Sequence, residues 1–264
     1  MSQILTPRPA ATVLAVRDGA KGFEVLMLRR NINSDFVGGA YVFPGGALDE
    51  NDADSRLQRR TFGLDERGAS KILGVDSGGL AYYIAVLREL FEEAGLLIAC
   101  REEGKIADRS DAQIVARLAA QRTGLNHGEV TLAEILEREE LLLDLRGLAY
   151  LAHWLTPGGP PRRYDTLVFV ALAPSDQTAV HDAGETIEDT WLRPTDALAA
   201  HERGDFDMIF PTIRTLRTIE HLASAHDVLN YASSLASVPR TEPRVVMHGD
   251  KPIILIAGDE GFAD

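Results

Sequence analysis

Apolar and polar positions divide this chain into strands and helices in mixed order. Short, predominantly apolar segments with turn residues at their ends predict strands at 11–16, 23–28, 40–43, 148–155, 166–172 and 186–192. Apolar residues at helical spacing predict helices at 80–94, 111–121, 132–139, 195–201 and, in two pieces, 212–235. Short apolar runs at 244–247 and 253–256 predict a terminal hairpin. Strands and helices mixed in this way predict an α+β fold.

The helix at 80–94 has a charge pattern that an ordinary surface helix lacks. Its apolar side is formed by Leu80, Ile84, Leu87, Phe91 and Ala94. Its polar side begins with Arg88 and places three carboxylates, Glu89, Glu92 and Glu93, within five positions. Gly95 follows at the position of a left-handed helix cap, and a strand is expected at 96–98.

Carboxylates three and four residues apart are neighbours on a helix, and each such pair costs about 0.2–0.5 kcal/mol. A divalent cation removes that cost, and Mg²⁺ prefers carboxylate oxygens while leaving positions open for phosphates. The run therefore indicates a site for phosphate chemistry. A solvated, Glu-rich helix face is the alternative.

The run from Arg88 to Gly95 resembles the Nudix box of the Nudix hydrolases, written Gly-x5-Glu-x7-Arg-Glu-U-x-Glu-Glu-x-Gly-U, where U is apolar. The spacing differs, because Gly46 lies 42 residues before Arg88 where the usual box has 14, which indicates about 28 inserted residues. Counted without an insertion, Leu80 occupies the position of the first Glu. That Glu is therefore expected to be missing or displaced.

An interrupted box resembles the branch of Nudix hydrolases that cleaves coenzyme A and acyl-coenzyme A. The resemblance implies an α/β/α sandwich around a mixed β-sheet, formed by a single domain spanning residues 1–264. The insertion at about 51–79 is charged and rich in turns, so we expect a surface excursion or lid. Helical additions are expected at about 108–140 and 211–235.

The resemblance also implies roles for individual residues. Glu89, Glu92 and Glu93 would hold Mg²⁺ or Mn²⁺, with Arg88 orienting one of these carboxylates. An acid before Trp191 would complete the metal site or act as base, and Glu188 is favoured over Glu185. The expected contacts to substrate come from Arg30, Gly45, Gly46 and Arg163, because glycines let the backbone approach a phosphate and arginine binds it bidentately.

Hydrolysis of a small-molecule diphosphate is the function that these features indicate. On the resemblance alone, coenzyme A or acyl-coenzyme A is the first candidate substrate; ADP-ribose, dinucleotides and nucleotide-sugars stay open. Two other classes are considered: a non-catalytic nucleotide-binding protein of the same fold, and a di-iron helical bundle. The bundle is disfavoured, because it needs Glu-x-x-His pairs and fewer strands.

Composition limits the partners and the compartment. The formal net charge of −13 argues against nucleic acid and anionic membranes as partners. The single cysteine, Cys100, excludes an internal disulfide and fits a reducing compartment. Since neither a signal peptide nor an apolar run of membrane length is seen, the cytoplasm is expected. A homodimer is left open.

Overall fold

The computed structural model describes residues 6–34, 37–101, 104–105, 112–158, 162–248 and 251–262. Within these residues the strands are β1 (Arg8–Gly19), β2 (Gly22–Arg30), β3 (Tyr41–Val42), β4 (Gly45–Ala47), β5 (Thr61–Phe62), β6 (Ala99–Cys100), β7 (Leu142–Asp144), β8 (Leu148–Leu155), β9 (Tyr164–Leu172), β10 (Thr186–Leu192), β11 (Arg240–Thr241), β12 (Arg244–His248) and β13 (Lys251–Leu255). The helices are a 3₁₀ turn (Glu50–Ala53), α1 (Ser55–Gln58), α2 (Glu66–Leu73), α3 (Gly79–Ala94), α4 (Ala112–Asn126), α5 (Leu132–Arg138), α6 (Pro194–Glu202), α7 (Phe210–Ile219) and α8 (Ala225–Ser234).

The central sheet is mixed and has the strand order β10-β2-β1-β9-β8-β11. Strand β1 pairs in parallel with β9 and antiparallel with β2. Along its first half β1 pairs with β4 instead of β2, because Ala10–Thr12 lie opposite Gly45–Ala47. The sheet therefore splits beside β1, and the glycines of β4 border the split.

Alternation of side chains along β1 fills two separate cores. Val13 and Ala15 pack with α3 on one face, whereas Leu14 and Val16 pack with α6, α7 and α8 on the other. A mixed sheet thus lies between two helical layers, which confirms the α+β sandwich. Among the helices of the described residues, none has both the length and the hydropathy needed to cross a membrane.

Helix α3 has the ends that its sequence indicates. It runs from Gly79 to Ala94, and Gly95 follows in the left-handed conformation with φ of 71°. The strand expected at 96–98 is wrong, because the next strand is β6 at Ala99–Cys100. The backbone of Leu97 instead exchanges two hydrogen bonds with the side-chain amide of Gln177.

The other predicted helices and strands occur close to their expected bounds. The 212–235 segment divides into α7 and α8, and the terminal hairpin forms from β12 and β13. The first helical addition comprises α4 and α5. Helix α5 begins with the capping box of Thr131 and Glu134. Positions 108–111 of that addition lie outside the described residues.

The insertion at 51–79 is more than a surface excursion, so that expectation is wrong in part. It contains a 3₁₀ turn, α1, β5 and α2, and it places Leu57 and Ala69 in the core against α3. Apolar residues at these two positions give the segment its own buried contacts. The insertion therefore braces the acidic helix.

Glu66, in α2 of the insertion, caps the start of α3. Its carboxylate accepts hydrogen bonds from the N–H groups of Gly78, Gly79 and Leu80, at 2.6, 3.2 and 3.0 Å. The Ser70 hydroxyl donates a further bond of 2.7 Å. Partial burial opposes the charge, but these bonds outweigh it and lower the pKa of Glu66. A negative charge at a helix N-terminus also interacts favourably with the helix dipole.

We expect Glu66→Gln to destabilise the fold by about 1 kcal/mol at pH 7, because charged acceptors make stronger hydrogen bonds than neutral ones. Since the folded-state pKa is lowered, this contribution exists above the ordinary value of 4.5 and is lost as the pH falls. Urea unfolding should show a smaller difference in unfolding free energy between wild type and variant at pH 4 than at pH 7. Arg67→Gln, at the exposed neighbour, is the control, and an equal gap for Glu66→Gln at both pH values would contradict the capping role.

Candidate active site

Two acidic side chains of α3 lie against the two glycines of β4. The Gly45 N–H donates a hydrogen bond of 2.8 Å to Oε2 of Glu93. Gly45 has φ of +155°, and a Cβ there would collide with Thr12. A Cβ on Gly46 would collide with the carboxylate of Glu89. Gly46 therefore leaves room for the Glu89 side chain of α3, whereas Gly45 lets β4 approach β1.

Burial leaves these two carboxylates electrostatically strained. Only 4% of Glu93 is exposed, and its pKa is raised well above the ordinary value by burial and by the nearby charge of Glu89. Burial also raises the pKa of Glu89 to about 7, although Arg88 acts in the opposite direction. Two neighbouring buried carboxylates with so little compensation favour binding of a cation.

Arg88 organises the remaining acids of the helix. Its Nη1 donates a bond of 2.9 Å to Oε1 of Glu89 and one of 2.7 Å to Oε2 of Glu92. Its Nε and Nη2 form a bidentate pair with Asp52 at 2.8 and 3.0 Å. Burial raises the pKa of Glu92 as well, against the opposing effect of Arg88. Arg88 thus fixes three carboxylates, those of Asp52, Glu89 and Glu92, with one guanidinium group.

Asp52 is a site residue that the sequence interpretation missed. Its side chain has no exposed surface, and besides Arg88 it binds the N–H of Asp49 at 2.8 Å. Counting six positions on from Gly46 arrives at Asp52, the position of the first Glu in the Gly-x5-Glu half of the box. The early acid is therefore present as Asp, at the start of the insertion.

A cavity of about 730 Å³ opens beside the split in the sheet. Its polar end is lined by Arg30, Gly45, Gly46, Glu89 and Glu185. Most of its remaining lining is apolar and comes from β8, the start of α7 and the terminal hairpin, including Trp154, Leu155, Ile209, Phe210, Pro211, Val245 and Ile254. The site thus combines buried carboxylates with a long apolar wall.

Arg30 and Glu185 form an ion pair at the polar end. Nη2 of Arg30 lies 2.8 Å from Glu185 and 3.0 Å from the Ser34 hydroxyl. The Nε of Arg30 is buried and has no hydrogen-bond partner among the described residues. Glu185 contributes to the raised pKa of both Glu89 and Glu93. Because Arg30 lines the cavity, its guanidinium group suits a phosphate oxygen.

Glu188, the acid favoured from the sequence, lies on the opposite face of the sheet. An irregular pairing between Thr186 and Glu188 sets Glu188 opposite Arg29, whereas Thr186 lies opposite Arg30. The Glu188 carboxylate accepts a bond of 3.0 Å from the Tyr41 hydroxyl and lies 3.6 Å from Arg29. The structure therefore brings Glu185 to the acidic pair and keeps Glu188 apart.

The two arginines before β9 also differ in placement. Arg163 binds the Thr156 carbonyl and Glu242, each at 3.0 Å, and its side chain is buried. Arg162 lines the cavity instead. Arg163, from which a substrate contact was expected, instead connects the segments that contain Thr156 and Glu242.

The donor set suits a hard divalent cation. Glu89 and Glu93 offer carboxylate oxygens one helical turn apart. Arg88 binds Glu92 through Oε2, so Oε1 of Glu92 is outside that bond. Across the described ranges, no three His, Cys, Asp or Glu side chains converge into a ready-made metal cage. Two carboxylates with open positions are what Mg²⁺ uses when phosphates and water complete its shell.

The split sheet, the glycine strand and the acidic helix define a Nudix hydrolase. A solved Nudix hydrolase from Alicyclobacillus acidocaldarius superposes with a TM-score of 0.70 at 27% identity, covering 85% of this chain and 96% of that one. Proteins of this class act on small-molecule diphosphates with the help of divalent cations.

The chain belongs to the family described as the NUDT19 Nudix domain, whose model matches residues 54–219, more than half of its length. Two curated relatives are each named acyl-coenzyme A diphosphatase NUDT19. The one from Xenopus laevis is 24% identical over 94% of this chain and 73% of its own length. The human protein is 24% identical over 93% of this chain and 74% of its own.

Proposed function

We propose that this protein hydrolyses the diphosphate linkage of acyl-coenzyme A. The proposal is carried by one observation: Glu89, set against Gly46, lies at the polar end of a cavity whose other walls are mostly apolar. The diphosphate of acyl-coenzyme A joins a nucleotide to a long pantetheine arm with an acyl end. A cavity with one charged and one apolar end matches that molecule.

Glu89 and Glu93 would hold Mg²⁺ or Mn²⁺, with Glu92 as a further oxygen donor. The bound ion would offset phosphate charge and activate a water molecule. Arg88 keeps Glu89 and Glu92 in one orientation, so that neither carboxylate has to reorganise when substrate binds. Glu185 takes the role considered for an acid before Trp191, because it lies beside the cavity and Glu188 does not.

Arg30 lines the cavity, and its guanidinium group would bind a phosphate oxygen there. Gly45 and Gly46 present backbone without a side chain at the same end. Arg162 supplies a second cation to the cavity lining, and it replaces Arg163 in the proposed substrate contacts. These groups orient the diphosphate, whereas the acids supply the charge that binds the cation.

Other diphosphates remain the alternative substrates. ADP-ribose, dinucleotides and nucleotide-sugars present the same linkage to the polar end, but their second half is polar and gains little from Trp154, Phe210 and the hairpin. A non-catalytic nucleotide-binding role does not require the acidic pair, whose burial is unfavourable without a cation.

Purified protein should cleave acetyl-coenzyme A in Mg²⁺ or Mn²⁺ and lose that activity in EDTA. Product masses should be those of acetyl-phosphopantetheine and adenosine 3′,5′-bisphosphate. ADP-ribose, NADH and a nucleotide-sugar, tested in parallel, should turn over at least about tenfold more slowly, because they gain less from the apolar walls. Faster cleavage of any of them, or binding without cleavage in Mg²⁺, would overturn the proposal.

A further inference from the structure

The terminal hairpin has an apolar face that the rest of the described chain covers only in part. Val245 and Ile254 lie directly opposite each other on β12 and β13, so their side chains share one face. They are 59% and 42% exposed, and both line the cavity. Met247 extends the same face two residues further and is 66% exposed. Paired aliphatic residues exposed beside a cavity indicate a binding surface.

This face continues a wall that begins on the sheet. Trp154 is held in place by a bond of 3.1 Å from its Nε1 to the Thr215 hydroxyl and by an edge contact with Phe210 at 6.1 Å. Strands β4, β1, β9 and β8 follow one another across the sheet. Three strand spacings, about 14 Å, therefore separate the glycines of β4 from Trp154.

The geometry points to the hairpin face as the acyl-chain site, where Val245 and Ile254 set the preference for acylated over free coenzyme A. This inference rests on the proposed function, since it assumes that the diphosphate lies at Glu89. With the diphosphate there, the pantetheine arm runs along the sheet to Trp154, and the acyl chain beyond it reaches the hairpin. An acyl chain is the occupant because the face is continuous with the reaction cavity and contains aliphatic groups.

The test is a comparison of octanoyl-coenzyme A with coenzyme A in the double variant Val245→Ser, Ile254→Ser. The ratio of kcat/KM for the two substrates should fall about tenfold, because two aliphatic contacts with the chain are removed. Val115→Ser is the matched control, since Val115 is 52% exposed on α4 and lies outside the cavity lining. An unchanged ratio in the double variant would overturn the inference.

Binding in EDTA separates this inference from the proposed function. By calorimetry, octanoyl-coenzyme A should bind the double variant about tenfold more weakly than wild type, whether or not wild type cleaves it. Binding without cleavage in Mg²⁺ defeats the proposed function and leaves the acyl site standing. The other possible occupant of the hairpin face is a second copy of this chain, which light scattering detects. If wild type is a dimer and the double variant is a monomer, the face is a dimer interface and the acyl site is contradicted.

Discussion

Glu93→Gln is expected to reduce turnover about 10²- to 10⁴-fold without loss of folding stability, and Glu89→Gln should do the same. Glutamine keeps the size of the side chain, and its carbonyl can still accept the Gly45 N–H bond. What it removes is one of two neighbouring buried negative charges. In the metal-free protein that change relieves repulsion, so the melting temperature should hold or rise.

The combination of lost activity and retained stability distinguishes a cation site from a structural role. Glu188→Gln is the matched control, since Glu188 belongs to the same region of sequence as Glu185 but contacts Tyr41 and Arg29. It should stay within a few-fold of wild type. Full metal-dependent turnover by the Glu93 and Glu89 variants would refute the proposed role of the acidic pair.

Asp52→Ala should destabilise the fold by about 3 kcal/mol and also reduce kcat. Removing one partner of a buried ion pair costs about 3–5 kcal/mol, and the lower end applies because Glu89 and Glu92 still compensate Arg88. The loss in kcat should be about 10- to 100-fold, since a guanidinium that orients the proposed ligands is no longer fixed. Urea unfolding and steady-state kinetics measure the two effects separately.

Glu50→Ala supplies the comparison, because Glu50 is an exposed acid of the same 3₁₀ turn. It should change the unfolding free energy by less than about 0.5 kcal/mol. Asp52→Glu restores the carboxylate and should recover part of both effects. If Asp52→Ala were as stable and as active as Glu50→Ala, the ion pair between Asp52 and Arg88 would contribute neither to stability nor to activity.

Local patterns predict the regular elements of this chain well. Strands β8 and β10 have the bounds that apolar runs and turn residues indicate, and α3 ends at a left-handed glycine as its sequence predicts. The strand expected at 96–98 fails because Leu97 is bonded to Gln177, 80 residues away. A partner so distant leaves no local signal.

The site is predictable to the extent that its residues share one helix. The placement of Glu89 and Glu93 against Gly45 and Gly46 needed the fold, since α3 and β4 are separated by the insertion. The irregular pairing of β10 with β2 between Thr186 and Glu188 determines which face of the sheet Glu188 occupies. No sequence pattern indicates this irregularity. Asp52 is predictable from the sequence, because it lies six residues after Gly46, at the position of the Glu in Gly-x5-Glu.

Mn²⁺ binding to the metal-free protein, followed by electron paramagnetic resonance, tests the central claim most directly. Wild type should bind Mn²⁺ without substrate present, whereas Glu89→Gln and Glu93→Gln should bind it at least about tenfold more weakly. Glu188→Gln should bind it as wild type does. Equal Mn²⁺ affinity in all four proteins would show that the buried acids of α3 do not hold the cation.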